Sequence, residues 1–148
     1  MTSQTSTSIH ASAVLVGDRA VLIRGPSGSG KSSLAFDLIL AGRAGQSAKA
    51  TLIGDDRVRL APRDGRLIVQ NVPELAGLIE IRGLGIRKID ATSEAVIGVV
   101  VDLSASDAER LPPPEALKTV ISGVELPRIP VAAGQNPLSL VLAFLTTT

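Results

Sequence analysis

Eight consecutive residues constrain this chain more than any other feature: Gly25-Pro26-Ser27-Gly28-Ser29-Gly30-Lys31-Ser32. They match the pattern G-x-x-x-x-G-K-[ST] without substitution. The apolar run Val21-Leu22-Ile23 leads in, and Leu34, Ala35, Leu38, Ile39 and Ala41 recur at helical spacing behind it, before stop signals at Gly42 and Gly45. A strand, a glycine-rich loop and a helix from about Lys31 to Arg43 are therefore expected in that order. Such a P-loop turns backbone N–H groups inward around phosphate oxygens, and the helix N-terminus adds its partial positive charge. Lys31 would reach the β- and γ-phosphates of ATP, and the Ser32 hydroxyl would ligate Mg²⁺.

Outside this loop the pattern is one of short strands. Residues 9–16 and 20–24 read as a hairpin about Gly17-Asp18-Arg19, and 50–53 as a strand. Residues 58–61 and 67–70 flank the turn Pro62-Arg63-Asp64-Gly65, and 78–82 and 86–89 bracket Gly83-Leu84-Gly85. Residues 95–102 form the clearest buried strand, and 126–131 are extended despite Pro127 and Pro130. Residues 104–110 read as a short helix or turn, and 138–145 as a final helix. Strands so outnumber helices that most pairs must be antiparallel, because parallel neighbours need long, usually helical, crossovers. The fold class is α/β, with a mixed, largely antiparallel sheet. The polar start, residues 1–8, reads as a disordered tail, and residues 9–148 as one catalytic domain.

Composition removes several function classes. With 15 basic against 14 acidic residues, no electrostatic argument favours nucleic acid or an anionic membrane. There is no Cys, which excludes disulfides and Cys-ligated metals. No run approaches the ~20 apolar residues of a membrane span, and the start MTSQTSTS lacks the features of a signal peptide. A cytoplasmic protein is expected. The only aromatics are Phe36 and Phe144, so the core must be aliphatic.

A kinase also needs carboxylates, to orient or deprotonate an acceptor hydroxyl and to hold Mg²⁺. Asp55-Asp56, after the strand at 50–53, competes with Asp102, which ends Val99-Val100-Val101 in the manner of a Walker B strand. The pair is favoured, since two adjacent carboxylates can divide the work, one taking the acceptor proton and the other seeing the metal. By pattern alone, Glu80 is the solvent face of a strand and could form a surface ion pair with Arg82. His10, the only histidine, reads as structural, and Arg110 as a surface charge.

Together these pieces resemble one family. His10 opening a strand, then residues 25–32, then Asp55-Asp56-Arg57-Val58, then Ile79-Glu80-Ile81-Arg82-Gly83-Leu84-Gly85-Ile86, are similar to the C-terminal domain of the HPr kinase/phosphorylases. The resemblance runs in order from about residue 9 to residue 131. It implies a P-loop fold of the phosphoenolpyruvate-carboxykinase type. It also implies transfer of the ATP γ-phosphate to a serine of HPr, the phosphocarrier of the phosphotransferase system, with phosphorolysis as the reverse activity of many members, and a homo-hexamer. Carried over residue by residue, Asp55 would be the proton acceptor and, in the reverse step, the donor. His10 and Lys31 would be active-site residues, Ser32 and Glu80 magnesium ligands, and Arg110-Leu111 the family's active-site Arg-Leu.

The chain departs from the family pattern in places. The resemblance does not extend to the family's separate N-terminal domain, so a short form like those of some proteobacteria is expected. Ser33 stands where an acidic residue often follows the loop. The stretch from Gly85 to Ala95 is shorter than the usual mobile catalytic loop. Ala133-Gly134-Gln135-Asn136 replaces the Val-Gly-Arg-Asn associated with dephosphorylation, and the C-terminal helix is short. The kinase half thus keeps its parts more fully than the phosphorolysis half. The rival readings are a nucleotide-binding regulatory module without turnover and a P-loop small-molecule kinase. No Asn-Lys-x-Asp motif suggests a GTPase, and no Leu-Ser-Gly-Gly signature suggests an ABC-type ATPase.

Overall fold

The computed structural model describes residues 7–148. The elements, in chain order, are β1 (Thr7–Ile9), β2 (Ser12–Val16), β3 (Arg19–Arg24), α1 (Lys31–Arg43), β4 (Ala50–Gly54), β5 (Val58–Arg63), β6 (Arg66–Asn71), β7 (Leu78–Ile81), β8 (Gly85–Lys88), β9 (Glu94–Leu103), β10 (Lys118–Ile121), β11 (Val124–Val131) and α2 (Pro137–Thr146). Nine strands form one mixed sheet, and β7 and β8 pair separately as a hairpin. Among the strand pairs of the described residues only β3–β9 and β9–β11 are parallel and the others are antiparallel; one isolated parallel bridge joins Leu52 to Ala91. The architecture is thus mixed α/β with a mostly antiparallel sheet. No helix among the described residues is long and apolar enough to cross a membrane.

Strand β9 organises the molecule. Its first residues pair with β6, and its second half lies between β3 and β11, parallel to both. Both faces of β3 are buried: Val21 and Ile23 pack in one cluster with Leu34 and Leu38 of α1, Ala20 and Leu22 in another with Val58, Leu60, Leu67 and Val69 of the β5–β6 hairpin. The period of two along a strand produces this division. The register of β9 shifts by one residue at Gly98, so Ile97 and Val100 face the hairpin side while Val99 and Val101 face the helix. A side chain at Gly98 would begin 2.8 Å from Cβ of Arg19, so the residue inside this valine run has to be glycine.

Three expectations change. Residues 1–6 of the anticipated tail lie outside the described residues, but Thr7 and Ser8 pair with Leu60 and Arg59 in β1. The single strand expected over 9–16 is two, because β1 adds to β5 while β2 pairs with β3 and β4; His10 and Ala11 make the crossing. The hairpin turn at 62–65 contracts to Asp64-Gly65, with φ of 54° and 77°, the double positive φ of a two-residue turn that matches strand twist. Ser122-Gly123, at 51° and 78°, makes the same turn between β10 and β11.

Candidate active site

The P-loop joins β3 to α1, so its position is set by a strand buried on both faces and a helix packed over it. Gly28 and Gly30 adopt φ of 80° and 103°, and a Cβ at either would meet nothing within 4 Å. Their absence of side chains serves backbone conformation and open space above the loop. No side chain caps α1 and no acid lies in its first turn, which leaves its N-terminal N–H groups and partial positive charge facing the loop. Lys31, 7% exposed, donates from Nζ to the carbonyls of Gly25 (2.9 Å) and Pro26 (3.2 Å). These features fit a polyphosphate.

Opposite the loop, the chain leaving β4 turns sharply. Asp55 is buried, and three donors converge on its carboxylate: Oδ1 accepts from the hydroxyls of Ser32 (2.6 Å) and Ser12 (2.8 Å), Oδ2 from the Glu80 backbone N–H (2.9 Å). Asp56 has φ of 65°, a conformation that Asp tolerates better than most residues, and it is exposed and lines the cleft. That cleft, about 210 Å³, is walled by Ser27, Gly28, Gly30, Lys31, Ser32, Ser33, Asp56, Glu80 and Arg82. Period-two alternation sends Ile79 into the core beside α1 and Glu80 out to the cleft. No ion pair joins Glu80 to Arg82. Among the described residues no three acidic or histidine side chains cluster tightly enough to hold a metal by themselves. The donors available, the Ser32 hydroxyl and the Glu80 and Asp56 carboxylates, fit Mg²⁺, which keeps several waters and shares its shell with substrate phosphates.

The other candidates sit elsewhere. His10 is exposed, with Nε2 3.1 Å from the Arg57 guanidinium, which also donates to Ser8 Oγ (3.0 Å); it reaches the Asp55-Asp56 turn only through Arg57. Arg110 is not on the P-loop cleft: it lines a groove of about 370 Å³ between the 109–117 segment, β11 and α2. Asp102 accepts two hydrogen bonds from Arg24 (2.7 and 2.8 Å) and one from Arg128 (2.5 Å). Burial pushes its carboxyl up, but these guanidinium hydrogen bonds outweigh it and hold the group below the usual aspartate range. It is a structural clamp under the loop, away from the cleft. Ser12 escaped notice in the sequence, and Arg57 entered only as part of the motif Asp55-Asp56-Arg57-Val58, with no role of its own. A lone hydroxyl at the head of an apolar strand was the available signal for Ser12.

The family model described as HPr Serine kinase C-terminal domain matches residues 2–147. The chain belongs to that family. Among its relatives, the HPr kinase/phosphorylase of Mycoplasma mycoides is 33% identical over 146 residues, covering 89% of this chain and 44% of that protein. The HPr kinase/phosphorylase of Enterococcus faecalis is 39% identical over 146 residues, covering 88% and 44%. The chain therefore spans less than half the length of the curated relatives it matches. The solved structure of the Hpr(Ser) kinase/phosphatase from Coxiella burnetii superposes with a TM-score of 0.74 at 24% identity, over 93% of this chain and 92% of that one, a likeness of fold. Of the stretches that carried the sequence resemblance, residues 25–32, 55–58 and 79–86 each contribute side chains or backbone to the cleft, the second through Asp56 and the third through Glu80 and Arg82, whereas His10 lies outside it.

Proposed function

We propose that this chain is an ATP-dependent protein serine kinase acting on HPr, built on a P-loop fold of the phosphoenolpyruvate-carboxykinase type, with residues 9–148 as its catalytic domain. The single observation that supports this most is the hydrogen bond from the P-loop hydroxyl of Ser32 to Asp55, which joins a phosphate-binding loop to a carboxylate pair in one cleft. Residues 25–32 hold the triphosphate of ATP by backbone N–H groups, and Lys31 leaves its loop carbonyls for the β- and γ-phosphates. Ser32 and Glu80 hold Mg²⁺, which supplies charge neutralisation on the phosphates when bound. Asp55 takes the proton of the acceptor serine. His10 acts through Arg57 on the Asp55-Asp56 turn. Arg110, on its separate groove, meets the protein substrate or an adjoining subunit of a hexamer. A cytoplasmic location belongs to the same proposal, and reverse phosphorolysis is its weaker half, given Gln135.

A second division of labour is favoured by one observation: Asp56 lines the cleft whereas Asp55 is buried and engaged by three donors. Asp56 would then take the proton and Asp55 would fix Ser32. Transfer of labelled γ-phosphate from ATP to purified HPr tests the whole. Label is expected on wild-type HPr and not on HPr whose acceptor serine is Ala. Asp55→Ala should abolish transfer and spare ATP binding measured by calorimetry. ATP binding without transfer by the wild-type chain would refute the HPr assignment and favour a regulatory module. Full transfer by Asp55→Asn with loss in Asp56→Asn would give the proton to Asp56.

A further inference from the structure

Ser12 is 0% exposed, at the head of a strand whose other core residues are Ala13, Val14 and Val16. A hydroxyl buried among alkyl groups is tolerated only when its hydrogen bonds are made. Here its one donor goes to Asp55 Oδ1 (2.8 Å), and its oxygen accepts from the backbone N–H of Asp56 (3.2 Å). One buried hydroxyl therefore holds the side chain of the first aspartate and the backbone of the second. It does so where the chain is in a conformation unfavourable for an L-residue, the φ of 65° at Asp56. The same Oδ1 accepts from Ser32, and Oδ2 from the N–H of Glu80.

Resting on the kinase reading above, we propose that Ser12 is a positioning residue for phosphoryl transfer: it fixes the rotamer of Asp55 and the turn at Asp56, and through Asp55 the aim of the Ser32 hydroxyl. Without it, the Asp55 carboxylate keeps Ser32 on Oδ1 and the Glu80 N–H on Oδ2 but loses the one donor buried in the core, and the Asp56 N–H loses its acceptor, so the orientation of the carboxylate is less tightly fixed. The loop that grips the triphosphate does not contain Ser12, so nucleotide affinity depends on it little while the geometry of transfer depends on it strongly. A misplacement of order 1 Å costs about 100-fold in rate.

The experiment compares wild type, Ser12→Ala and Ser12→Cys, the last nearly isosteric but a weak donor. The readouts are thermal unfolding, ATP binding by calorimetry, and kcat and KM(ATP) for transfer to HPr. The expected result is a fall in kcat of roughly 10- to 100-fold in both variants, with KM(ATP) within about threefold of wild type. Retention of wild-type kcat by Ser12→Ala, or a rise in KM at constant kcat, would overturn the positioning role. Should Ser12→Ala fail to fold, Ser12→Cys decides: lost kcat in a folded protein supports the role, and retained kcat refutes it. Absence of transfer by the wild type as well would overturn the kinase reading and this role with it. Transfer by wild type and both variants alike would overturn the role alone.

Discussion

Removing the Asp102 carboxylate is the sharpest test of how the floor of the P-loop is held. In Asp102→Ala, Arg24 loses both of its carboxylate bonds and Arg128 loses one. Stripping one partner from a fully buried ion pair costs about 3–5 kcal/mol. The cost here is smaller. Arg128, with 14% of its side chain exposed, keeps Asp107 (2.8 and 3.0 Å) and the carbonyl of Ala116 (2.8 Å). Arg24, at 32% exposure, can be rehydrated. About 2 kcal/mol is expected, or roughly 4–8 °C in Tm for a chain of this size. Urea unfolding should show a lower midpoint at unchanged slope. The effect has a definite pH sense. The folded carboxyl lies below its ordinary value of 3.8, so its contribution is complete above that value and is lost as pH falls through the lower folded value. The wild-type advantage over the variant must shrink in that acid window and not at neutral or alkaline pH. A destabilisation under about 0.5 kcal/mol at pH 7 would refute the clamp. So would unchanged stability with lost Mg²⁺-dependent turnover, which would restore Asp102 as a metal ligand.

Gly42→Ala should lower the midpoint of thermal unfolding. The new Cβ would stand 2.8 Å from the Ala50 nitrogen and 3.0 Å from the Ala48 carbonyl, fixed backbone that cannot yield, so overpacking of about 1–3 kcal/mol exceeds the gain of about 1 kcal/mol in helix propensity. Glu80→Gln keeps the backbone N–H that binds Asp55, so its fold and ATP affinity should persist. The Mg²⁺ concentration for half-maximal transfer should rise at least about tenfold, by analogy with losses around other metal sites. An unchanged Mg²⁺ requirement would remove Glu80 from the metal site.

What the sequence disclosed was whatever is local. Residues 25–32 carry their own geometry, and helix α1 falls on the expected bounds Lys31–Arg43 because its apolar spacing and glycine stop lie in one window. The scarcity of helices correctly implied antiparallel pairing. The hairpin β5–β6 was visible in its turn residues, though the turn proved tighter. The β10–β11 hairpin was half missed: Thr119, Val120 and Ile121 are β-branched and Ser122-Gly123 is a turn pair, but the strand is only four residues, none of them fully buried, and its sequence shows no polar–apolar alternation. Asp102 looked like a Walker B residue because pattern cannot see Arg24 and Arg128, 78 and 26 residues away. The importance of Ser12 was hidden for the same reason, its partner lying 43 residues on. Arg110 joined the site by resemblance alone, and the fold places it on a different groove.

The central place of β9 carries a consequence for how the molecule assembles. The loop that cradles phosphate is contiguous in the chain, yet its lead strand β3 gains its parallel neighbour only when Asp102 comes to lie beside Arg24, across a separation of 78 residues. Closing so long a loop is entropically costly and slow relative to forming the neighbouring hairpins. The β2–β3 and β5–β6 hairpins would therefore appear early, and the seat of the P-loop would be completed only when β9 arrives. A nascent chain whose synthesis has not yet passed residue 103 would lack a finished nucleotide site, however complete its glycine-rich loop.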